Sequence, residues 1–416
     1  MIGAPYDGNQ LTGVVYIYRR QGGSWLLEQR LAPPIALPVF GFFGNSVAVS
    51  GDTLIIGVGN ESGGPSQSYI FKRETNVWQL QQTVPTAGQV AIHGDTAIVG
   101  DYGATFGQGT SERGEAGTAF IYFRSNGVWS VQSQIYASDP QRAGYFGTAV
   151  AIRGDTAVVG AIGDLGTGDE SGSAYVFVRT GTNWTQSQKL RASDPQQAAD
   201  FGREVALSDN VLVIGAPGYI DPNAPGSYTN SGAAYVFSRT GSQWIQEQKL
   251  GFSQPEAKDG FGYAVACSER QILVGQLKTD NFSYDTVPSG SVTVFQKLGG
   301  VWTEQGKLAP NAGTLGDLFG GSVVMDGNTV VVGDPDFIGS AYVYEGVVFS
   351  RIERSGGGLS ISFVAAPSAS YEIESTHSLT APIEWQSVTN VVGDGTLVNV
   401  PVTIDSDQRF YRVRVQ

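Results

Sequence analysis

The stretches "FGTAVAIRGDTAVVGA", from Phe146 to Ala161, and "GSAYVFVRTGTNWTQSQKL", from Gly172 to Leu190, decide the fold. Both consist of short runs of β-branched, aromatic and small apolar residues, separated by Gly-Asp and Thr-Gly pairs that suit tight turns. We read four strands: "FGTAVAI", "TAVVGA", "SAYVFVR", and a fourth that begins at Trp184 and alternates apolar with polar residues. The apolar second strand predicts burial on both faces, and the alternating fourth strand predicts the outer edge of a sheet.

This four-strand unit recurs along the chain, which is the signature of a repeat architecture. The tryptophan that opens the fourth strand recurs as Trp25, Trp78, Trp129, Trp184, Trp244 and Trp302. The glycine that closes the second strand recurs as Gly3, Gly57, Gly100, Gly160, Gly215, Gly275 and Gly333. Seven such sheets around an axis form a propeller. We therefore predict an all-β fold in which residues 1–345 form a seven-bladed β-propeller.

The two ends of the repeat region are incomplete in the sequence. The first unit lacks its opening strand, and the seventh lacks its tryptophan strand. We expect the ring to close by joining these ends or through residues upstream of Met1. Because Met1 is followed at once by "IGAP", the end of a strand, we also expect an export signal to lie upstream.

Insertions concentrate between the second and third strands. The connection between the first and second strands is a short hairpin, as in "SGDT", "HGDT", "RGDT" and "DGNT". In an up-and-down sheet the turns after strands one and three lie at one end, so every long connection lies at the other. Variable insertions on one face of a repeat protein are typical of a binding face.

The recurring "FG" and "GAP", as in Phe201-Gly202 and Gly215-Ala216-Pro217, resemble FG-GAP repeats, the units of the integrin α-subunit propeller. The fuller pattern, with "ASDPQ", "GDTAVVGA" and "GSAYVF", resembles a bacterial FG-GAP subgroup. This resemblance covers about residues 1–345. It implies an exported propeller, extracellular or on the cell surface, that binds partners through its loop face. The calcium loop of integrin-type repeats is replaced by a bare hairpin, so that metal site should be absent.

Residues 346–416 follow a different pattern, with six short predicted strands between Gly-rich turns such as "SGGG" and "GDG". Alternating short strands of this kind predict a small β-sandwich. The segment is similar to modules that end many secreted bacterial proteins, which implies an accessory or surface-linked role.

Composition excludes several classes of function. The 416 residues include 25 basic and 38 acidic residues, a net charge of −13, which opposes binding to nucleic acid. No apolar run approaches the roughly 18 residues that a membrane helix needs, so we expect no membrane insertion. One Cys and two His exclude a disulfide framework, a Cys/His zinc cluster and most His-dependent triads. We therefore expect no enzyme, and a monomer.

Acidic residues in the long connections are candidate metal ligands. Asp164, Asp169 and Glu170 lie in one second-to-third connection, and Asp334 and Asp336 lie in another. Calcium prefers six to eight oxygen ligands on flexible loops, so Ca²⁺ is the one cofactor that these segments indicate. Solvated acidic turns are the alternative interpretation, because no connection has strictly alternating Asp.

Three functions remain open. The first is a noncatalytic scaffold for adhesion or binding that holds a protein or a cell-wall or extracellular glycan on its long-loop face. The second is a lectin-like propeller, whose sugar sites would use exposed loop aromatics, with Tyr219, Tyr228, Phe282 and Tyr284 as candidates. The third is a polysaccharide-active enzyme with two carboxylates about 5 to 10 Å apart.

Two motifs receive structural interpretations. Arg153-Gly154-Asp155 has the sequence of an adhesion motif, but it occupies a hairpin that other units form with "SGD" and "HGD". Asp139 and Asp194, in "ASDPQ", precede Phe-Gly by seven residues. We expect them to accept backbone N–H bonds in turns between blades.

Overall fold

The computed structural model describes most of the chain. The described residues are 1–8, 12–22, 24–34, 41–59, 67–105, 114–165, 171–222, 231–251, 260–277, 290–309, 318–335, 339–345, 350–355, 358–364, 370–377, 383–393, 397–402 and 410–415. Within these ranges the structure is all β, with no helix and therefore no helix long and apolar enough to cross a membrane.

The first 26 strands form seven antiparallel sheets, numbered here along the chain. Sheet 1 contains β1 (Ile2–Ala4), β2 (Val14–Gln21) and β3 (Ser24–Leu31). Sheet 2 contains β4 (Ser46–Ser50), β5 (Thr53–Gly57), β6 (Ser68–Glu74) and β7 (Val77–Val84). Sheet 3 contains β8 (Gln89–His93), β9 (Thr96–Asp101), β10 (Thr118–Ser125) and β11 (Val128–Ile135). Sheets 4 and 5 contain β12 (Phe146–Arg153), β13 (Thr156–Ala161), β14 (Ser173–Thr180) and β15 (Asn183–Leu190); and β16 (Val205–Leu207), β17 (Val211–Ala216), β18 (Ala233–Thr240) and β19 (Gln243–Leu250). Sheets 6 and 7 contain β20 (Phe261–Cys267), β21 (Gln271–Gln276), β22 (Ser291–Leu298) and β23 (Val301–Leu308); and β24 (Ser322–Asp326), β25 (Thr329–Asp334) and β26 (Ser340–Glu345).

Each sheet is an up-and-down meander in which strands consecutive in sequence are paired. Among the described residues, sheets 2 to 6 have four strands. In the part of the chain that the structure describes, sheet 1 has no opening strand and sheet 7 has no tryptophan strand, as the repeat pattern predicts. The second strands β5, β13 and β17 are buried at every position, as their apolar sequences predict. This series of sheets is consistent with the blades of a propeller.

Consecutive sheets pack face to face through apolar side chains. Trp244 of sheet 5 shares a buried cluster with Val176 and Leu190 of sheet 4, and Phe201 and Tyr235 belong to the same cluster. Five of the six repeated tryptophans are only 2–7% exposed, which confirms their predicted role in packing between sheets. Trp25 of sheet 1 differs, with 39% of its surface exposed.

The Phe-Gly and Gly-Ala motifs meet where two sheets approach most closely. Gly202 has φ = +98°, its N–H donates to the Gly215 carbonyl at 3.0 Å, and its own carbonyl faces Gly160 of the preceding sheet. A Cβ atom on Gly160 would lie 2.0 Å from that carbonyl oxygen. The preceding Phe201 is buried and pairs in parallel with Gly172 of sheet 4. The motif therefore specifies backbone contact between neighbouring sheets, a contact that any side chain at Gly160 would block.

The C-terminal segment forms two further antiparallel sheets. Their strands are β27 (Ser350–Ser355), β28 (Gly358–Val364), β29 (Ser370–Thr376), β30 (Gln386–Val392), β31 (Leu397–Val402) and β32 (Phe410–Val415). One sheet has the order β27-β28-β31 and the other the order β30-β29-β32. Buried residues from both sheets, including Phe363 and Tyr371, form one cluster.

Candidate functional site

The strand bounds place the long connections at one end of sheets 1 to 7. The second-to-third connections span 9 to 16 residues in sheets 1 to 6 and 5 residues in sheet 7. The hairpins after the first and third strands, at the opposite end, span only two or three residues. The predicted gathering of insertions at one end is confirmed, and we call it the long-connection end. The segments that join one sheet to the next, of 4 to 14 residues, lie at this end too.

In sheet 4 the long-connection end carries a partly buried cluster of two carboxylates, a tyrosine and a lysine. The Tyr175 hydroxyl lies 2.9 Å from Oδ1 of Asp139 and also bonds to the Asp164 carboxylate. Lys189 Nζ donates to Oδ2 of Asp139 and to Oδ2 of Asp164, both at 2.7 Å. Tyr175 and Lys189 are cross-strand partners on β14 and β15. Asp139 belongs to the segment that enters the sheet, so the cluster fastens that segment to the sheet.

Sheet 5 repeats the cluster with one exchange. Asp194 Oδ1 accepts a hydrogen bond from the Tyr235 hydroxyl at 2.9 Å, and Oδ2 accepts from Tyr219 at 3.0 Å and from Lys249 Nζ at 2.7 Å. Lys249 also lies 3.6 Å from the centre of the Tyr219 ring. Tyr219 and Asp164 each stand four residues after the glycine that closes the second strand, so a tyrosine here replaces a carboxylate.

Sheet 1 contains a smaller version of this cluster. Tyr16 donates its hydroxyl to Asp7, and the Arg30 guanidinium lies 6.0 Å from the Tyr16 ring centre. The hydrogen bond from Tyr16, with a second from the Gly8 N–H, lowers the pKa of Asp7. Three sheets thus use the same combination of carboxylate, tyrosine and cation.

The electrostatics of these clusters favour fixed ion pairs over proton transfer. Burial raises the pKa of Tyr175 and of Tyr235, and the neighbouring carboxylates raise it further, so both phenols remain protonated. Burial also raises the pKa of Asp194, but hydrogen bonds from Lys249, Tyr235 and Tyr219 outweigh this effect and lower it overall. Burial lowers the pKa of Lys249, but its bond to Asp194 raises it overall. These shifts keep the charges of Tyr175, Tyr235, Asp194 and Lys249 unchanged near neutral pH.

The predicted metal ligands in the described ranges already have protein partners. Asp164 is buried and paired with Lys189 at 2.7 Å. Asp334 is buried as well, and its Oδ1 accepts a hydrogen bond from the Leu318 N–H at 2.7 Å. Asp169, Glu170 and Asp336 lie outside the described residues. Among the described residues, no three His, Cys, Asp or Glu side chains form a group able to hold a metal ion. Calcium binding by these connections stays a prediction.

The aromatic candidates for a sugar site need one correction. Tyr219 is only 3% exposed, because its ring packs on Lys249 and Tyr235 and its hydroxyl binds Asp194, so it is not an exposed loop aromatic. Tyr228, Phe282 and Tyr284 lie outside the described residues. The roles of Asp139 and Asp194 are also corrected: their carboxylates accept from tyrosine hydroxyls and lysines of the sheet that follows.

Other aromatic rings reach the surface at the long-connection end, and the sequence analysis missed them. Tyr6 is 58% exposed, and Phe42, Tyr102, Tyr145 and Tyr263 are partly exposed. Phe42 and Tyr145 each directly precede a Phe-Gly pair, and Tyr263 directly follows one. An alignment of the repeats on Phe-Gly would have found these three, because each stands beside the motif at a position where the residue varies between repeats.

The short-hairpin end is held by ion pairs between and within sheets. Asp155 of the Arg-Gly-Asp hairpin accepts from Nε of Arg179 at 2.7 Å, and Arg153 pairs with Asp209 of the next sheet at 2.9 Å. The Arg179 guanidinium lies 5.5 Å from the Trp184 ring centre. Both charged residues of the tripeptide therefore have partners within the chain, which agrees with the structural interpretation of the motif.

The series of small antiparallel sheets, with contacts that recur from one sheet to the next, defines an all-β repeat protein. The FG-GAP repeat family model matches four stretches of the chain, residues 129–177, 184–237, 244–295 and 302–344. Each match begins at the tryptophan of one sheet's last strand and ends in the third strand of the next sheet. The chain therefore contains four FG-GAP repeats, and this sequence repeat is offset from the sheets by one strand. No curated protein matches the chain.

Proposed function

We propose that the chain is a noncatalytic binding scaffold that holds an extracellular partner on its long-connection end. The observation that carries this proposal is the uneven distribution of connections: 5 to 16 residues between the second and third strands, against two or three in every hairpin at the opposite end. Loops that vary in length on a rigid framework are where binding residues concentrate.

The architecture we propose for this scaffold is a seven-bladed propeller followed by a small β-sandwich. Sheets 1 to 7, each packed on the next, support the propeller. The shared cluster that includes Phe363 and Tyr371 supports the sandwich. We propose that the molecule acts as a monomer outside the cell, in keeping with its net charge of −13 and its single cysteine.

The absence of catalysis is part of the proposal. A hydrolase that uses two carboxylates needs one of them protonated near neutral pH. Asp139 and Asp164 meet at this end and share Lys189 and Tyr175, and these partners lower the pKa of Asp139 against the opposing effect of burial. Burial raises the pKa of Glu204 to about 7, but the charged neighbour that acts on it is Arg203 and not a second carboxylate. Assays for release of reducing sugar from plant and algal polysaccharides should therefore detect no turnover.

The binding face is tested by blocking each end with a polymer. Pro222→Cys places a thiol in an exposed position of the long-connection end, and Thr182→Cys places one in an exposed hairpin at the opposite end. Burial raises the pKa of the Cys267 thiol to about 12, which keeps this thiol protonated at neutral pH. Because the thiolate is the nucleophile, maleimide will react with the introduced cysteine and not with Cys267. Each variant is coupled to a polyethylene glycol maleimide, and its adsorption to insoluble bacterial peptidoglycan and plant cell walls is measured.

We expect the polymer at position 222 to abolish adsorption and the polymer at position 182 to leave it unchanged. Equal adsorption by both coupled variants, or loss only with the polymer at position 182, contradicts the proposal. The two uncoupled variants serve as controls for the substitutions themselves.

A further inference from the structure

The residue before Phe-Gly adopts a left-handed backbone conformation in four sheets. Its φ angle is +48° at Phe42, +52° at Tyr145, +57° at Asp200 and +54° at Gly260. This region suits glycine, is tolerated by aspartate, and is unfavourable for an aromatic residue. Gly260 shows that the fold accepts glycine here. The aromatic residues Phe42 and Tyr145 therefore carry an energetic cost that packing of the motif does not require.

From this position the Tyr145 side chain contacts residues of both sheet 3 and sheet 4 at the surface. Its ring lies 6.4 Å from the Tyr102 ring of sheet 3, at an interplanar angle of 63°. Its hydroxyl donates to Oε2 of the exposed Glu115 at 3.2 Å. Its Cδ2 atom would lie 2.8 Å from a Cβ atom at Gly163, so the ring rests directly on the sheet 4 connection. Two aromatic rings and a carboxylate thus meet at the junction of sheets 3 and 4.

Two further junctions carry the same kind of feature. Between sheets 1 and 2, Tyr6 and Phe42 lie 5.4 Å apart at 74°. Between sheets 5 and 6, the Arg203 guanidinium lies 5.0 Å from the Tyr263 ring centre and donates to its hydroxyl at 3.1 Å. All three features stand at the long-connection end, where first strands begin and second strands end.

We propose that the junction of sheets 3 and 4 is a carbohydrate-binding subsite for a neutral glycan, formed by Tyr102, Tyr145 and Glu115. The junctions at Tyr6 and at Tyr263 are additional subsites of the same glycan. This inference rests on the proposed function, because it names the ligand class of the long-connection end. It also replaces Tyr219 as the sugar-binding aromatic.

The chemistry of the three residues selects this ligand. The C–H face of a pyranose ring packs on aromatic rings, and its hydroxyls donate to a carboxylate and accept from a phenol. The net charge of −13 disfavours a polyanionic glycan. Several subsites on one face bind a polymer more tightly than a single sugar, because the second contact is intramolecular.

The test uses a variant that should fold at least as well as the parent. Tyr145→Gly removes the ring and relieves the left-handed conformation, since Gly260 occupies the same position in sheet 6. Ala198→Gly is the matched control: Ala198 also has a left-handed φ of +55° but belongs to none of the three junctions. Titration calorimetry with cello-, xylo-, laminari-, manno- and chitohexaose supplies the binding constants, and a thermal melt verifies folding.

We expect at least one hexasaccharide to bind, and Tyr145→Gly to weaken that binding at least tenfold with an unchanged or higher melting temperature. Tyr102→Ala should weaken it as well, and Ala198→Gly should not. Binding of none of the five sugars, or binding within twofold of the parent in Tyr145→Gly, overturns the proposal.

The calorimetric test and the polymer-blocking experiment can fail independently of each other. If polymer at position 222 prevents adsorption while Tyr145→Gly changes nothing, the binding face stands and the subsite is wrong. If polymer at position 222 does not prevent adsorption, the proposed function itself fails, whatever the hexasaccharides do.

Discussion

The side-chain amide of Gln188 binds the backbone of Trp244 through two hydrogen bonds. Its Nε2 donates to the Trp244 carbonyl at 2.7 Å, and its Oε1 accepts from the Trp244 N–H at 2.9 Å. The amide thus imitates a neighbouring strand and joins the outer strands of two sheets. Equivalent glutamines bind equivalent tryptophans in three other pairs: Gln29 with Trp78, Gln82 with Trp129, and Gln248 with Trp302.

Gln188→Ala should therefore lower the free energy of unfolding by about 1–2 kcal/mol, because it leaves both backbone groups of Trp244 without this partner. Gln243→Ala, at an exposed position that starts an outer strand, is the control and should change it by less than about 0.5 kcal/mol. Urea denaturation measures both variants. Equal midpoints for the two would refute the role of the glutamine.

Tyr175→Phe should lower the free energy of unfolding by about 1–3 kcal/mol, because the carboxylates of Asp139 and Asp164 lose a buried hydroxyl donor while the ring still fits. Phe120 occupies the same register position in sheet 3, which shows that the site accepts the ring alone. Tyr69→Phe is the control in sheet 2, where the hydroxyl receives one bond from the neutral Gln67, and it should cost about 1 kcal/mol or less. A loss in Tyr175→Phe no larger than that in Tyr69→Phe would count against the cluster.

Lys249→Met should destabilise the protein at neutral pH and have less effect in acid. The folded-state pKa of Asp194 lies below its ordinary value of 3.8, so its contribution is present above that value and is lost as the pH falls through the folded value. Because the Lys249–Asp194 pair is partly exposed, with 28% and 42% of the side chains accessible, we expect a loss of about 0.5–1 kcal/mol at pH 7.

The control for this prediction is Lys72→Met, which removes a more exposed pair with Glu74 at 3.3 Å. Its melting temperature should match that of the parent at every pH. A destabilisation by Lys249→Met that stays constant down to pH 2 would indicate lost packing of the lysine chain on Tyr219 instead of a lost ion pair.

Glu204→Ala should stabilise the protein above neutral pH. Burial raises the pKa of Glu204 from 4.5 to about 7, and the nearby Arg203 offsets this only in part. Because the folded-state pKa is the higher one, ionisation favours unfolding: the cost is absent below about pH 4.5 and complete above about pH 7. Alanine fits, since Ala149 and Ala264 occupy the equivalent positions.

Because the Glu204 side chain is partly accessible to solvent, we expect only a moderate effect. Glu204→Ala should raise the free energy of unfolding by about 1–2 kcal/mol at pH 8 and leave it unchanged at pH 4. Chemical denaturation at the two pH values measures this difference. A gain of equal size at both would mean that packing, and not the charge, is responsible.

The repeat pattern predicted the strands, the positions of the hairpins and the end that carries the long connections. It did so because strand alternation, Gly-Asp turns and apolar second strands are local properties of the chain. It also predicted that the tryptophans pack between sheets. It gave the polar residues of the tryptophan strand only an edge-protecting role, although Gln188 and its equivalents bind the next sheet.

The candidate site was predicted less well. Asp139 and Asp194 were recognised as structural, but their partners were not, because Tyr175 and Tyr235 lie 36 and 41 residues further along the chain. Tyr219 looks like a loop aromatic in the sequence and is buried in the structure.

The sequence by itself determined the all-β class, the unit of four strands and the direction in which the connections lengthen, since these follow from local strand and turn patterns and from their repetition along the chain. Only the tertiary structure decided which side chains meet at the junctions, such as Tyr102 with Tyr145 and Gln188 with Trp244. These partners belong to different sheets, and their contact depends on how closely the glycines let one backbone approach the next.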